Sequence, residues 1–171
     1  MFYIDNKILD MEKNKEYIQI VKYLEKLFLD NNNIDMLVSI IGYSWYLFVE
    51  GPCVLPEISN EDLEYLKTIW SKYHDIAISK YQDNDEVCFI LGYTFYLHGF
   101  YIKNITNNEQ IGLELINKSN SITQNDELKS IIEIFIKRSK NKKTNKLGPS
   151  LIFKSNSLLD VYFKEMFYTI K

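Results

Sequence analysis

His74-Asp75 is the one adjacent pair in the chain from which general acid–base chemistry could start. An imidazole beside a carboxylate titrates near neutral pH, and with the thiol of Cys53 it would supply a nucleophile, a base and an orienting group. The surroundings speak against that constellation. Cys53 follows Gly51-Pro52 in a turn, with no basic residue or predicted helix start close enough to lower its pKa. Cys88 lies in an apolar run, where a thiol behaves as a small hydrophobe. His74 and His98 fall on different predicted helices without a second ligand at i+4. His74 therefore reads as a surface or half-buried histidine, and His98, before Gly99, as a helix-end residue whose protonated form suits the dipole. Gly-rich phosphate loops, H-E-x-x-H, G-x-S-x-G and EF-hand patterns do not occur. The expectation is no catalytic residue, no metal site and no cofactor.

The carboxylates form two clusters. Glu57, Glu61, Asp62 and Glu64 make one; Asp83, Asp85 and Glu86 make the other. Both lie at predicted helix starts, where capping and compensation of the positive helix end explain them. If helical hairpins stack, helix starts one unit apart line one rim, and a rim of like charge suits a basic partner.

Charge is divided unevenly along the chain. Residues 1–136 hold 11 Lys+Arg and 21 Asp+Glu, whereas residues 137–171 hold 9 and 2, so a net of −3 hides a strong dipole. The basic share is concentrated in "KRSKNKKTNK", residues 137–146, which reads as a solvated connector. Only one of the 20 cations is Arg, Arg138. Arg is the residue suited to bidentate phosphate and base contacts, so its scarcity argues against nucleic acid.

With 171 residues the chain fits one domain, able to bury roughly 70% of its unfolded surface. The two cysteines are too few and too far apart for a disulfide framework. "MFYIDNKILDMEK" lacks a basic leader region, and no uncharged apolar run reaches membrane-spanning length. These features predict a soluble cytoplasmic protein.

Apolar periodicity predicts helices almost throughout. Tyr17, Ile20, Val21, Leu24, Leu27 and Phe28 share one face of a first helix, stopped by "DNNN" at 30–33. Residues 34–49 are apolar nearly all round, as for a central helix, and Gly51-Pro52 closes them. Ser59 or Asn60 caps a third helix through Leu63, Leu66, Trp70, Tyr73, Ala77 and Tyr81. "QDND" at 82–85 ends it and caps a fourth, reaching about Tyr101; a shorter fifth follows "NNE" at 107–109. Asn125 caps a sixth, and Ser157 starts a last one after Gly148-Pro149 and a "SLIF" segment that reads as extended. The resulting expectation is an all-α single domain of about seven helices, with a hairpin array over 10–136, a basic connector over 137–149 and a C-terminal helix within 150–171.

Within this pattern one segment recurs. "IIGYSWYL" at 40–47 matches "ILGYTFYL" at 90–97 in residue class at every position, and "NDELKSII" at 125–132 echoes "NDEVCFIL" at 84–91. Gly inside a helix costs about 1 kcal/mol relative to Ala, so Gly42 and Gly92 predict close approach of a neighbouring helix. The hydroxyls of Tyr43, Tyr46, Tyr93 and Tyr96 need partners if buried, or face solvent.

Ile41-Gly42 with Trp45, and Leu91-Gly92 with Phe95, resemble the leucine-glycine-x-x-tyrosine core of tetratricopeptide first helices over residues 30–136. The period here is fifty residues rather than 34, and Val38 and Cys88 stand where the family has Trp. The resemblance implies stacked antiparallel helical hairpins, an α-α superhelix that binds a partner. In size, acidity, Lys/Asn/Ile-rich composition and lack of catalytic motifs the chain also resembles the all-helical immunity proteins that bacteria encode beside contact-dependent toxins. That resemblance implies a non-enzymatic inhibitor of a basic, nuclease-type toxin domain. Glu57, Glu61, Asp62, Glu64, Asp83, Asp85 and Glu86 would then donate charge, with Tyr46 and Tyr96 as anchors. The alternative is a tetratricopeptide-like adaptor for a peptide of another protein.

Overall fold

A computed structural model describes residues 1–55, 57–103, 107–147 and 152–168. Among these the architecture is all-α, and the only β pairing is an isolated parallel bridge between Leu147 and Tyr168. The helices are α1 (Asn6–Lys13), α2 (Tyr17–Asn31), α3 (Ile34–Val49), α4 (Gly51–Val54), α5 (Asn60–Lys80), α6 (Asp85–His98), α7 (Phe100–Lys103), α8 (Asn108–Ile122), α9 (Asp126–Ser139) and α10 (Leu158–Phe167). The six long helices expected from α2 to α9 and the last helix are all present. The sequence reading of about seven lacked α1, a short helix capped by Asp5, whose Oδ1 accepts the Ile8 N–H at 2.9 Å. Gly51-Pro52 does not simply close α3: with Pro near its start, the segment makes the single turn α4. α9 runs through Lys137 and Arg138, so the basic connector begins after Ser139. Gly148-Pro149 and the first half of "SLIF" lie outside the described residues.

The capping residues account for the element boundaries. Asn33, Asn84 and Asn125 each turn a side-chain oxygen onto the first-turn N–H groups of α3, α6 and α9, at 2.7, 2.9 and 3.0 Å for the nearest. Ser59 and Asp62 close a reciprocal capping box on α5. Asn32 ends α2 with φ 50°, a left-handed conformation that Asn tolerates.

α3 and α6 lie in the middle, which explains why they are apolar all round. On one side α3 meets α2 and α5, and Phe48 packs on Trp70 at 6.1 Å. α6 makes its most extensive pairing with α8. On the other side lie the N-terminal residues and α10: Tyr162 of α10 sits 5.4 Å from Trp45, and Phe163 5.1 Å from Tyr93. The C-terminal helix thus packs back across the faces of α3 and α6 that α5 and α8 leave uncovered.

The two Gly-Tyr segments serve different neighbours. A Cβ on Gly92 would stand 2.7 Å from the Gly112 carbonyl oxygen and 2.9 Å from the Ile116 nitrogen, so here the backbone of α8 does approach. Gly112 repays the contact, with the Tyr96 backbone 2.6 Å from its own missing Cβ. At Gly42 the close groups are side-chain ends, Leu159 Cδ1 and Phe2 Cε1, both at 2.9 Å. Likewise Trp45 faces Tyr93 and Tyr162, whereas its counterpart Phe95 packs, tilted, on His74 of α5 at 4.9 Å.

Candidate functional site

Because α3, α6 and α9 all begin with an Asn cap followed by acidic residues, their positive ends gather carboxylates: Asp35, then Asp85 and Glu86, then Asp126 and Glu127. These starts share one end of the molecule. The Met1 ammonium stands 3.8 Å from Asp35 and 3.5 Å from Glu86. An open cleft of about 580 Å³ runs from Asp83, Asp85 and Glu86 to Asn125. A second, of about 370 Å³, shares Glu86 and Asn125 and reaches Lys154 and Asp160.

Individual carboxylates on this rim differ in their ties. Asp35 and Asp126 are exposed. Asp83 is paired with Lys118 at 2.9 Å. Asp85 accepts the Glu86 N–H at 3.0 Å, and its carbonyl accepts from the Ser119 hydroxyl at 2.7 Å. Burial raises the Glu86 carboxyl above its usual range, an effect that the Met1 ammonium opposes. Glu127 accepts from the Tyr168 hydroxyl.

Glu57, Glu61, Asp62 and Glu64 are not part of this rim. α5 is antiparallel to α6 and 21 residues long, so its start lies roughly 30 Å from the turn that leads into α6. There Glu57 pairs with Lys15, which holds its carboxyl below the usual range, and Asp62 is committed to the cap. Glu61 and Glu64 are exposed. Helix starts one hairpin apart do share a rim, but the two clusters expected to line it sit at the starts of consecutive helices, α5 and α6, which begin at opposite ends. Asp35, Asp126 and Glu127 were missed for that reason, although the echo of Asn84-Asp85-Glu86 in Asn125-Asp126-Glu127 carried the signal.

Tyr46 and Tyr96 also stand apart from the rim, roughly 17 Å along α3 and α6 from the helix starts. Both are half-buried: Tyr46 packs on Tyr162 at 5.5 Å and Tyr96 on Phe135 at 5.1 Å. Their neighbours in the repeat are core residues. The Tyr43 hydroxyl donates to Glu12 at 2.7 Å, and the Tyr93 and Tyr162 hydroxyls share a hydrogen bond of 3.0 Å.

The histidines depart from expectation. His74 is 1% exposed rather than at the surface, because the α5 face that carries Trp70, Tyr73 and Ala77 is wholly packed. His98 is no protonated helix cap. Its Nδ1 accepts the Trp45 indole N–H at 3.2 Å, and burial lowers its pKa, so the neutral ring is the form held. Cys53 is exposed, while buried Cys88 gives its thiol to the Gln82 carbonyl at 3.0 Å. Among the described residues no group of three His, Cys, Asp or Glu is placed to hold a metal ion, and no helix is long and apolar enough to cross a membrane.

No protein-family model, curated protein or solved structure matches the chain.

Proposed function

We propose that the chain is a non-catalytic protein-binding inhibitor, immunity-like in kind, that occludes the substrate-binding surface of a basic toxin domain, with nucleases the best-fitting class. The observation that carries this reading is the rim on which Asp35, Asp83, Asp85, Glu86, Asp126 and Glu127 meet at the starts of α3, α6 and α9. Nucleases hold phosphates on positive surfaces, and an acidic rim steers onto such a surface and covers it. In the adaptor reading a peptide would lie along α3 and α6, where α10 already packs, and this favours the rim.

The test is capture of a partner from the native cells, purification of that partner, and stopped-flow association over a salt series. Toxin activity is then assayed in the complex. A basic partner silenced at one-to-one stoichiometry, with an on-rate that falls about tenfold or more with added salt, supports the reading. The combined variant Asp35→Asn, Asp85→Asn, Asp126→Asn should slow association without altering the fold. An unchanged on-rate in both experiments, or a partner still active when bound, rejects it.

A further inference from the structure

Away from the acidic rim, α6, α9 and α10 enclose a small cleft of about 210 Å³. Its walls are Tyr96, Leu97, Phe135, Met166 and Phe167, with Arg138, the only arginine of the chain, among them. The half-buried guanidinium gives Nε–H to Thr144 Oγ1 at 3.0 Å and Nη1–H to the Met166 carbonyl at 2.6 Å, and lies 5.6 Å from the centre of the Phe167 ring. The second of these bonds ties down the last turn of α10, and the first holds the segment that follows α9. A guanidinium has five N–H donors, and among the described residues the other three meet no acceptor. Among the described residues Arg138 forms no ion pair with a carboxylate.

An apolar cleft beside a guanidinium that meets no carboxylate among the described residues selects a ligand with an apolar body and a carboxylate. Size narrows the choice, since drug-sized ligands occupy clefts of about 300–1,000 Å³. The space here suits one side chain. The last residue of a polypeptide carries its side chain and its free carboxylate on the same carbon, the most compact form of that pairing.

We propose that this cleft receives an aliphatic or aromatic carboxyl-terminal residue of a partner polypeptide, its side chain among Tyr96, Phe135 and Met166 and its carboxylate on Arg138. The site is separate from the acidic rim and does not depend on the function proposed above.

The test titrates the whole chain with a tripeptide ending in leucine, as the free acid and as its C-terminal amide, following Arg138 Nε–H and the Leu97 and Met166 methyls by NMR. The free acid should move these signals saturably and bind about tenfold or more tighter than the amide, the loss expected for a charge-assisted bidentate contact. Arg138→Lys should remove most of that preference. Because Arg138 also steadies α10, Ser139→Leu serves as a second variant; it fills the cleft, leaves the guanidinium in place and should abolish binding. Equal binding of acid and amide, shifts elsewhere on the molecule, or undiminished binding by Ser139→Leu would overturn the proposal. N-acetyl-leucine binding as tightly as the tripeptide would overturn the assignment to a chain terminus and leave a site for small free acids.

Discussion

The indole N–H of Trp45 in α3 donates to Nδ1 of His98 at the end of α6, 3.2 Å away, so the two central helices are joined by a bond that only a neutral imidazole can accept. Protonation turns Nδ1 into a donor and places a charge where burial already disfavours it. A base whose folded pKa is lowered contributes stability above its ordinary value and loses it as pH falls. The denaturant midpoint should therefore fall from pH 6.5, the ordinary histidine value, downward toward the lowered one. His98→Gln, uncharged throughout, should flatten that part of the profile; a wild-type profile unchanged between pH 7 and about 5 would contradict the neutral-acceptor geometry.

Glu12 carries the opposite sign. Burial raises its carboxyl above the ordinary range even though the Tyr43 hydroxyl and the Leu158 N–H both donate to Oε1, at 2.7 and 2.9 Å. An acid with a raised folded pKa contributes stability below its ordinary value and loses it as pH rises through the folded one. Glu12→Gln keeps an acceptor oxygen for both donors without the charge. It should match or exceed the wild type in stability at pH 7, losing that advantage below about pH 4.5, the ordinary glutamate value. Chemical denaturation at the two pH values decides it.

The repeated glycines should respond differently to the same substitution. Gly42→Ala meets only side-chain ends, which can shift, and gains about 1 kcal/mol of helix propensity, so a near-neutral result is expected. Gly92→Ala forces a Cβ into the backbone of α8, and the overpacking cost of about 1–3 kcal/mol should outweigh that gain. Thermal unfolding of the pair tests this, and equal melting temperatures would mean that α6 and α8 can separate cheaply.

At the helix starts, Asn84→Ala removes the side-chain acceptor for the Val87 N–H and should cost about 1 kcal/mol. Lys118→Ala, which breaks the exposed pair with Asp83, should leave the midpoint close to that of the wild type. Equilibrium unfolding of both variants separates capping from surface pairing at the same rim.

The helices were legible because their signals are local: apolar stripes such as Tyr17 to Phe28 and caps such as Asn33, Ser59, Asn84 and Asn125 act within a few residues. α1 escaped because its only buried residue is Ile8, too little for a stripe. Neighbour identity was not legible. Trp45 and Phe95 occupy matched positions in the repeat, yet one faces the next central helix and the other faces α5, since helix rotation is set by long-range packing. For the candidate site, Asp85 and Glu86 were readable as a helix start, but the cluster paired with them, Glu61 to Glu64, starts the helix directly before, where the alternate starts of α3 and α9 were the ones to join. The surroundings of Arg138 depended on where α10 returned, which no local pattern encodes.

The bond from Leu158 to Glu12 spans 146 positions of sequence. At about 5–20 residues per second, the ribosome would make Glu12 roughly 7–30 seconds before Leu158. For roughly the last 3–12 seconds of that interval, after His98 is added, α3 and α6 exist without the helix that covers Trp45 and Tyr93, and the final closure waits on a distant segment, the slow kind of contact in folding. The nascent chain, more than the finished one, is the form that presents apolar surface to chaperones and proteases.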